Sequence, residues 1–162
     1  MENKERLAGK RVLIVDDEPD VLESLEELLP MCEVVKATNF DEAKEKMDTE
    51  YFDIAILDIM GVDGYRLLDI ATEREIMAVM FTAHALSTED TIKSFKEGAA
   101  SYIPKEEMQN ITTYLNDILE AKEKGKNFWW RWLDRFADYY EKKFTSNWKD
   151  KDKEFWKKFP YI

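Results

Sequence analysis

The sequence predicts an α/β fold: a doubly wound five-stranded parallel sheet, followed by a C-terminal helical extension rich in aromatic residues. Three observations predict it. First, short apolar runs recur and each ends in a polar residue. Val12-Leu13-Ile14-Val15 leads into Asp16 and Asp17, Ile54-Ala55-Ile56-Leu57 into Asp58, Ala78-Val79-Met80-Phe81 into Thr82, and Tyr102-Ile103-Pro104 into Lys105. Continuous apolar runs of this length read as strands buried on both faces, as in a parallel sheet. Second, amphipathic helical patterns separate the runs, which implies right-handed β-α-β crossovers. Third, the composition changes sharply near Gly125. Residues 1–125 carry 14 Lys and Arg against 29 Asp and Glu, whereas residues 126–162 carry 10 against 6 and hold all five Trp. A shift of this kind marks a boundary.

The elements follow in order. Val12 to Val15 is strand one. Pro19 suits a first helical position, and Val21, Leu22, Leu25, Leu28 and Leu29 give the next stretch an apolar stripe. Glu33 to Thr38, rich in Val, is a weaker second strand. Asn39 or Asp41 caps a helix through Met47. Strand three ends at Asp58, and Asp63 or Gly64 opens a helix through Tyr65, Leu67, Leu68 and Ile70. Strand four ends at Thr82. Ser87 and Asp90 form a capping box for a helix with Ile92 and Phe95, which Gly98 ends. Ser101 to Ile103 is strand five. Met108, Ile111, Leu115, Ile118 and Leu119 form the stripe of a last helix, with Gly125 as its stop.

Composition excludes several classes. The chain of 162 residues holds one domain plus an appendage. Met1 to Lys10 is polar, so no signal peptide is expected. No run of about 18 apolar residues is present, so no membrane span is expected. Cys32 is the only cysteine, which rules out an intrachain disulfide and suits the cytoplasm. The net charge of −11 argues against unaided nucleic-acid binding, which depends on Lys and Arg contacts to phosphate.

Open parallel sheets bind ligands beyond the carboxyl ends of their strands. Asp16, Asp17, Asp58, Thr82 and Lys105 should therefore converge. Three carboxylates, a hydroxyl and an ammonium suit a hard divalent cation and a phosphoryl group. Asp16 and Asp17 suit Mg²⁺, which takes oxygen ligands and often one or two carboxylates. Uncompensated, the carboxylates would raise one another's pKa. Asp58 reads as a third ligand or as a nucleophile toward phosphorus. Taken singly, each residue has a plainer reading: Asp16-Asp17 as a helix-capping pair, Asp58 as a turn residue, Thr82 as a strand end, Lys105 as a solvated lysine.

The sequences Val15-Asp16-Asp17-Glu18-Pro19, Leu57-Asp58-Ile59-Met60, Phe81-Thr82-Ala83 and Gly98-Ala99-Ala100-Ser101-Tyr102-Ile103-Pro104-Lys105 together resemble the receiver domain of two-component response regulators. The resemblance covers residues 8–124, in order and with the family's spacing. It implies the flavodoxin-like strand order 2-1-3-4-5. It implies that Asp58 is the phosphoacceptor, that Asp17, Asp58 and the Met60 backbone carbonyl bind Mg²⁺, and that Asp16 acts through water. Thr82, the Ala83 backbone and Lys105 would contact the phosphoryl group. Thr82 and Tyr102 would form the switch. Tyr102 otherwise reads as a half-buried strand aromatic, and His84 either tunes the phosphoryl lifetime or is an exposed loop histidine. The implied function is that of a response regulator receiver in a phosphorelay, not an enzyme in the usual sense. A sensor histidine kinase or phosphotransfer protein would phosphorylate it, and an unknown downstream protein would read the change. Neither nucleic acid nor membrane contact is expected.

One feature departs from the family pattern. A Pro usually follows the methionine, and a Gly stands about eight residues beyond the phosphorylated Asp. Here Asp58-Ile59-Met60-Gly61-Val62-Asp63-Gly64 has no Pro, and Gly64 comes six residues on. The loop is about two residues short.

No resemblance covers residues 126–162. Their aromatic stripe reads as a surface that docks on the receiver or forms a homodimer, as a site for another protein, or as a weak membrane-surface pattern. Two rival functions stand beside the receiver reading. One is a phosphorylation-independent scaffold. The other is a phosphohydrolase of the haloacid dehalogenase type, which places an acid/base Asp where this chain has Met60.

Overall fold

In the computed structural model, which describes residues 6–83 and 88–124, five parallel strands form one sheet in the order β2-β1-β3-β4-β5. The strands are β1 (Arg11–Val15), β2 (Glu33–Ala37), β3 (Ile54–Leu57), β4 (Met77–Thr82) and β5 (Ser101–Pro104). Between and after them lie α1 (Pro19–Leu28), α2 (Phe40–Thr49), α3 (Gly64–Glu73), α4 (Thr88–Lys96) and α5 (Ile111–Glu123). This is the architecture the apolar runs predict. Every residue of β3 and β5 is buried, as are Val12 to Val15 and Ala78 to Thr82. Edge strand β2 is buried only at Ala37, which explains its weaker signal.

The register levels the strand ends. Val15 pairs with Leu57, Leu57 with Met80, and Thr82 with Pro104. Asp16 and Asp58 thus leave neighbouring strands side by side, while Lys105 emerges one residue beyond the partner of Thr82. The Asp58 amide donates to the Val15 carbonyl at 3.0 Å, and the Asp16 amide to the Ala37 carbonyl at 3.1 Å. Both aspartates are therefore held by the sheet itself rather than by a free loop.

The helix signals have identifiable causes. Pro19 sits in the first turn of α1. The Asn39 side chain caps α2 by accepting from the Glu42 amide at 2.8 Å, which settles the choice between Asn39 and Asp41. Gly98, at φ 100°, ends α4 where the Ala99 amide donates back to the Ser94 carbonyl at 2.9 Å. The last helix begins later than its stripe suggests. Lys105–Asn110 is a 3₁₀ segment with a non-helical Glu107 (φ −98°, ψ 16°), so Met108 lies on a separate turn before α5. No residue of α5 from Ile111 to Ala121 is exposed, whereas α1, α2 and α3 each keep an exposed face.

Among the described residues, no helix is long and apolar enough to cross a membrane. His84, Ser87, the stop at Gly125 and the extension 126–162 lie outside the described residues.

Candidate functional site

The strand ends converge on a cleft of about 140 Å³ lined by Asp17, Glu18, Asp58, Met60, Gly61, Thr82, Ala83 and Lys105. Asp16 lies beneath it. The β1–α1 turn is built by the sequence Asp16-Asp17-Glu18-Pro19. Asp16 is buried, and its Oδ1 accepts from the Glu18 amide at 2.9 Å. This side-chain turn orients the chain into Pro19 and α1. It also leaves Asp17 exposed at the mouth. Oxygens of Asp16, Asp17 and Glu18 all lie within 4.8 Å of one another.

Among the described residues, Lys105 is the cation of the site. Its Nζ lies 2.7 Å from Asp16 Oδ2, 3.0 Å from Glu18 Oε1 and 3.7 Å from Asp58 Oδ2. Its side chain is 12% exposed, against 2% for Asp16 and 7% for Asp58, so these charges are poorly screened. Pro104, at φ −70° and ψ 142°, keeps the chain extended into Lys105 and aims the ammonium across the strand ends.

One ammonium does not balance the carboxylates around it. Burial, then the neighbouring Asp16 charge, lifts the Asp58 carboxyl from its usual 3.8 to about 6, against the pull of Lys105. Burial also raises Asp16 despite its contact with Lys105. For Lys105, burial works to lower the pKa, but Asp16, Glu18 and Asp58 outweigh it and the net shift is upward. Asp16 Oδ2 is buried, and among the described residues its contact is with the Lys105 ammonium at 2.7 Å. A buried oxygen in that state, inside a cluster of carboxylates, fits a hard divalent cation with oxygen and water ligands.

The loop between β3 and α3 is tight. Gly61 has φ 82° and Asp63 has φ 57°, both left-handed. The Gly64 amide donates to the Ile59 carbonyl at 3.1 Å and closes the turn. A side chain on Gly64 would collide with the Asp58 carbonyl oxygen, so the short loop requires glycine where α3 starts.

The structure thus brings together Asp16, Asp17, Asp58, Met60, Thr82, Ala83 and Lys105. Thr82 is buried at the end of β4, and Tyr102 is wholly buried on β5, deeper than a half-buried aromatic. Sequence reasoning passed over two lining residues. Glu18 pairs with Lys105, and its one signal was its place beside Pro19. Gly61 lies against Asp17, and its signal was the shortened loop. A larger cleft of about 520 Å³ lies at the opposite strand ends. Charges of both signs are spread around it, with Arg6 paired to Glu123 at 3.1 Å, so it lacks the convergent chemistry of the smaller one.

A model of the response regulator receiver domain matches residues 12–116. The chain belongs to that family. Among curated relatives it is 36% identical over 113 residues to the two-component response regulator ARR18 of Arabidopsis thaliana, across 64% of this chain and 18% of the relative. It is 34% identical over 114 residues to ORR23 of Oryza sativa subsp. indica, across 64% of this chain and 16% of the relative. The chain therefore spans under a fifth of these relatives. Among solved structures, the receiver domain protein of Methanospirillum hungatei JF-1 is 31% identical with a TM-score of 0.66, covering 73% of this chain and 99% of that one. A response regulator from Thermotoga maritima shares the fold, with a TM-score of 0.63 at 21% identity over 69% of this chain and 98% of that one. As a receiver of the two-component response regulators, the chain belongs to a class of signalling modules.

The crowding has a measurable consequence. A carboxyl whose pKa is raised on folding stabilises the native state below its unfolded pKa, and that contribution is lost as pH rises through the folded value. In metal-free buffer, Asp58→Asn should stabilise the protein by roughly 2–3 kcal/mol above pH 6. The gain should vanish near pH 4, as read by urea unfolding at the two pH values.

Proposed function

We propose that this receiver accepts a phosphoryl group on Asp58 from a sensor histidine kinase or phosphotransfer protein, and that the modification switches its contacts with a downstream protein. The observation that carries the reading is the convergence of Asp17, Asp58, Thr82, Ala83 and Lys105 on one cleft of a receiver-family chain. Asp17, Asp58 and the Met60 carbonyl would hold Mg²⁺, with Asp16 acting through water. Bound there, the cation would neutralise the carboxylates and the incoming phosphoryl oxygens.

The remaining chemistry belongs to the chain. An Asp58 carboxylate oxygen bonds to phosphorus while the bond from phosphorus to the donor breaks, and the leaving group keeps that electron pair. At neutral pH, Asp58 is mostly ionised and can attack. The Lys105 ammonium, now shared among three carboxylates, pairs with the phosphoryl oxygens as they arrive. The Thr82 hydroxyl and the Ala83 amide donate to them. The protein supplies position and charge, which is most of what phosphoryl transfer asks of it. Movement of Thr82 toward the phosphoryl group, coupled to Tyr102 behind it, biases a two-state equilibrium of the output surface.

The receiver match favours this reading over the scaffold and the phosphohydrolase. Met60 has no proton to transfer where a haloacid dehalogenase would place its second Asp. We also infer that residues 8–124 are the receiver unit, that 126–162 serves protein contacts, and that the chain works in the cytoplasm. The charge reversal at the boundary supports the division.

Incubation with acetyl phosphate and Mg²⁺ should add one phosphoryl group to the intact mass, and Asp58→Asn should abolish it. An adduct that persists in Asp58→Asn, or forms equally in EDTA, would contradict the assignment. A chain ending at Gly125 should lose thermal stability or self-association relative to the full chain, measured by calorimetry and light scattering. No change in either would remove the contact role of the extension.

A further inference from the structure

We propose that Gly61 is a positioning residue for the metal site, and that its lack of a side chain makes room for the Asp17 carboxylate over the shortened loop. The inference rests on the Mg²⁺ reading above and adds to it a residue that sequence comparison does not assign. A Cβ on Gly61 would lie 2.7 Å from Asp17 Cγ and 3.1 Å from its Oδ1, and would overlap Oδ2 outright. The carboxylate therefore fills the space that a side chain at 61 would take. Gly61 is bonded to Met60, whose carbonyl is the backbone donor assigned to the same cation. Asp17 and that carbonyl are thus brought together by the close approach of one carboxylate to one glycine.

The short loop leaves little room to relax. Gly64 packs under the Asp58 carbonyl, the Gly64 amide is tied to the Ile59 carbonyl, and Asp63 already holds a left-handed conformation. A methyl group at 61 cannot be absorbed by sliding the loop outward without breaking these contacts, so the Asp17 side chain must yield. Asp17 is exposed and can rotate toward solvent, which removes a ligand while leaving the fold intact.

The molecule contains a matched control. Gly9 has φ 77°, close to the 82° of Gly61, but no described residue lies within 4 Å of a Cβ built on it. Gly9→Ala and Gly61→Ala carry the same left-handed backbone penalty. Only Gly61→Ala meets Asp17.

The test is a Mg²⁺ titration of the full chain, read by amide chemical shifts and calorimetry, on wild type, Gly9→Ala, Gly61→Ala, Asp17→Ala and the Asp17→Ala/Gly61→Ala double variant. Displaced ligands and their supports typically cost about 10–100-fold in metal affinity. Gly61→Ala should lose that much, Gly9→Ala should bind as wild type, and the double variant should bind no worse than Asp17→Ala alone. If Gly61→Ala proves too unstable to titrate, the double variant should restore folding, because the carboxylate that blocks the methyl group is gone. Equal Mg²⁺ affinity in Gly61→Ala and wild type would overturn the inference and leave the metal reading standing, as would a double variant that stays unfolded. No Mg²⁺ binding by wild type would overturn both.

Discussion

Among the described residues, four carboxylates face one ammonium at the carboxyl end of this sheet, and the rest of the site depends on that imbalance. Asp16 and Asp58 are buried, Asp17 and Glu18 stand at the mouth, and Lys105 reaches Asp16, Glu18 and Asp58. Burial pushes Asp16 and Asp58 toward the neutral form, and neighbouring carboxylates add to the push. Lys105 offsets part of it. A divalent cation or an arriving phosphoryl group changes the balance at once, because either would redistribute the contacts of Lys105. The resting arrangement is thus poised for ligands rather than optimised for its own stability.

What keeps such a site from collapsing is backbone. Asp16 and Asp58 are pinned by sheet amides and carbonyls, and the Asp16 side chain is spent on the turn into Pro19. Pro104 fixes the approach to Lys105. The β3–α3 loop is folded back by left-handed residues at 61 and 63 and by the close packing of Gly64. Asp58 is thus presented by backbone that the sheet holds, so its carboxylate can exchange partners without unfolding its support.

Much of this was legible in the sequence because buried parallel strands leave an unmistakable trace. Leu13, Ile14, Ala55, Ile56, Val79 and Phe81 are apolar whichever face they meet, so the run shows through without periodicity. The polar residue after each run then marks the site. Legibility fails where structure depends on contacts between distant segments. Edge strand β2 alternates weakly because one side meets solvent at Lys36. The 3₁₀ turn before α5 cannot be read from a stripe that continues through Met108. The partners of Lys105 depend on how strand ends align, which apolar runs do not encode. The short loop was countable, but the contact of Gly61 with Asp17 follows from a backbone conformation that glycine permits and does not announce.

Charge crowding lifts the Asp58 carboxyl, and a bound cation would relieve it. The direct measurement is the pH titration of the Asp58 carboxyl carbon by NMR, metal-free and in saturating Mg²⁺. A midpoint of about 6 is expected without metal, falling well below that when Mg²⁺ is present. A midpoint in the ordinary carboxylate range that Mg²⁺ leaves unmoved would contradict it.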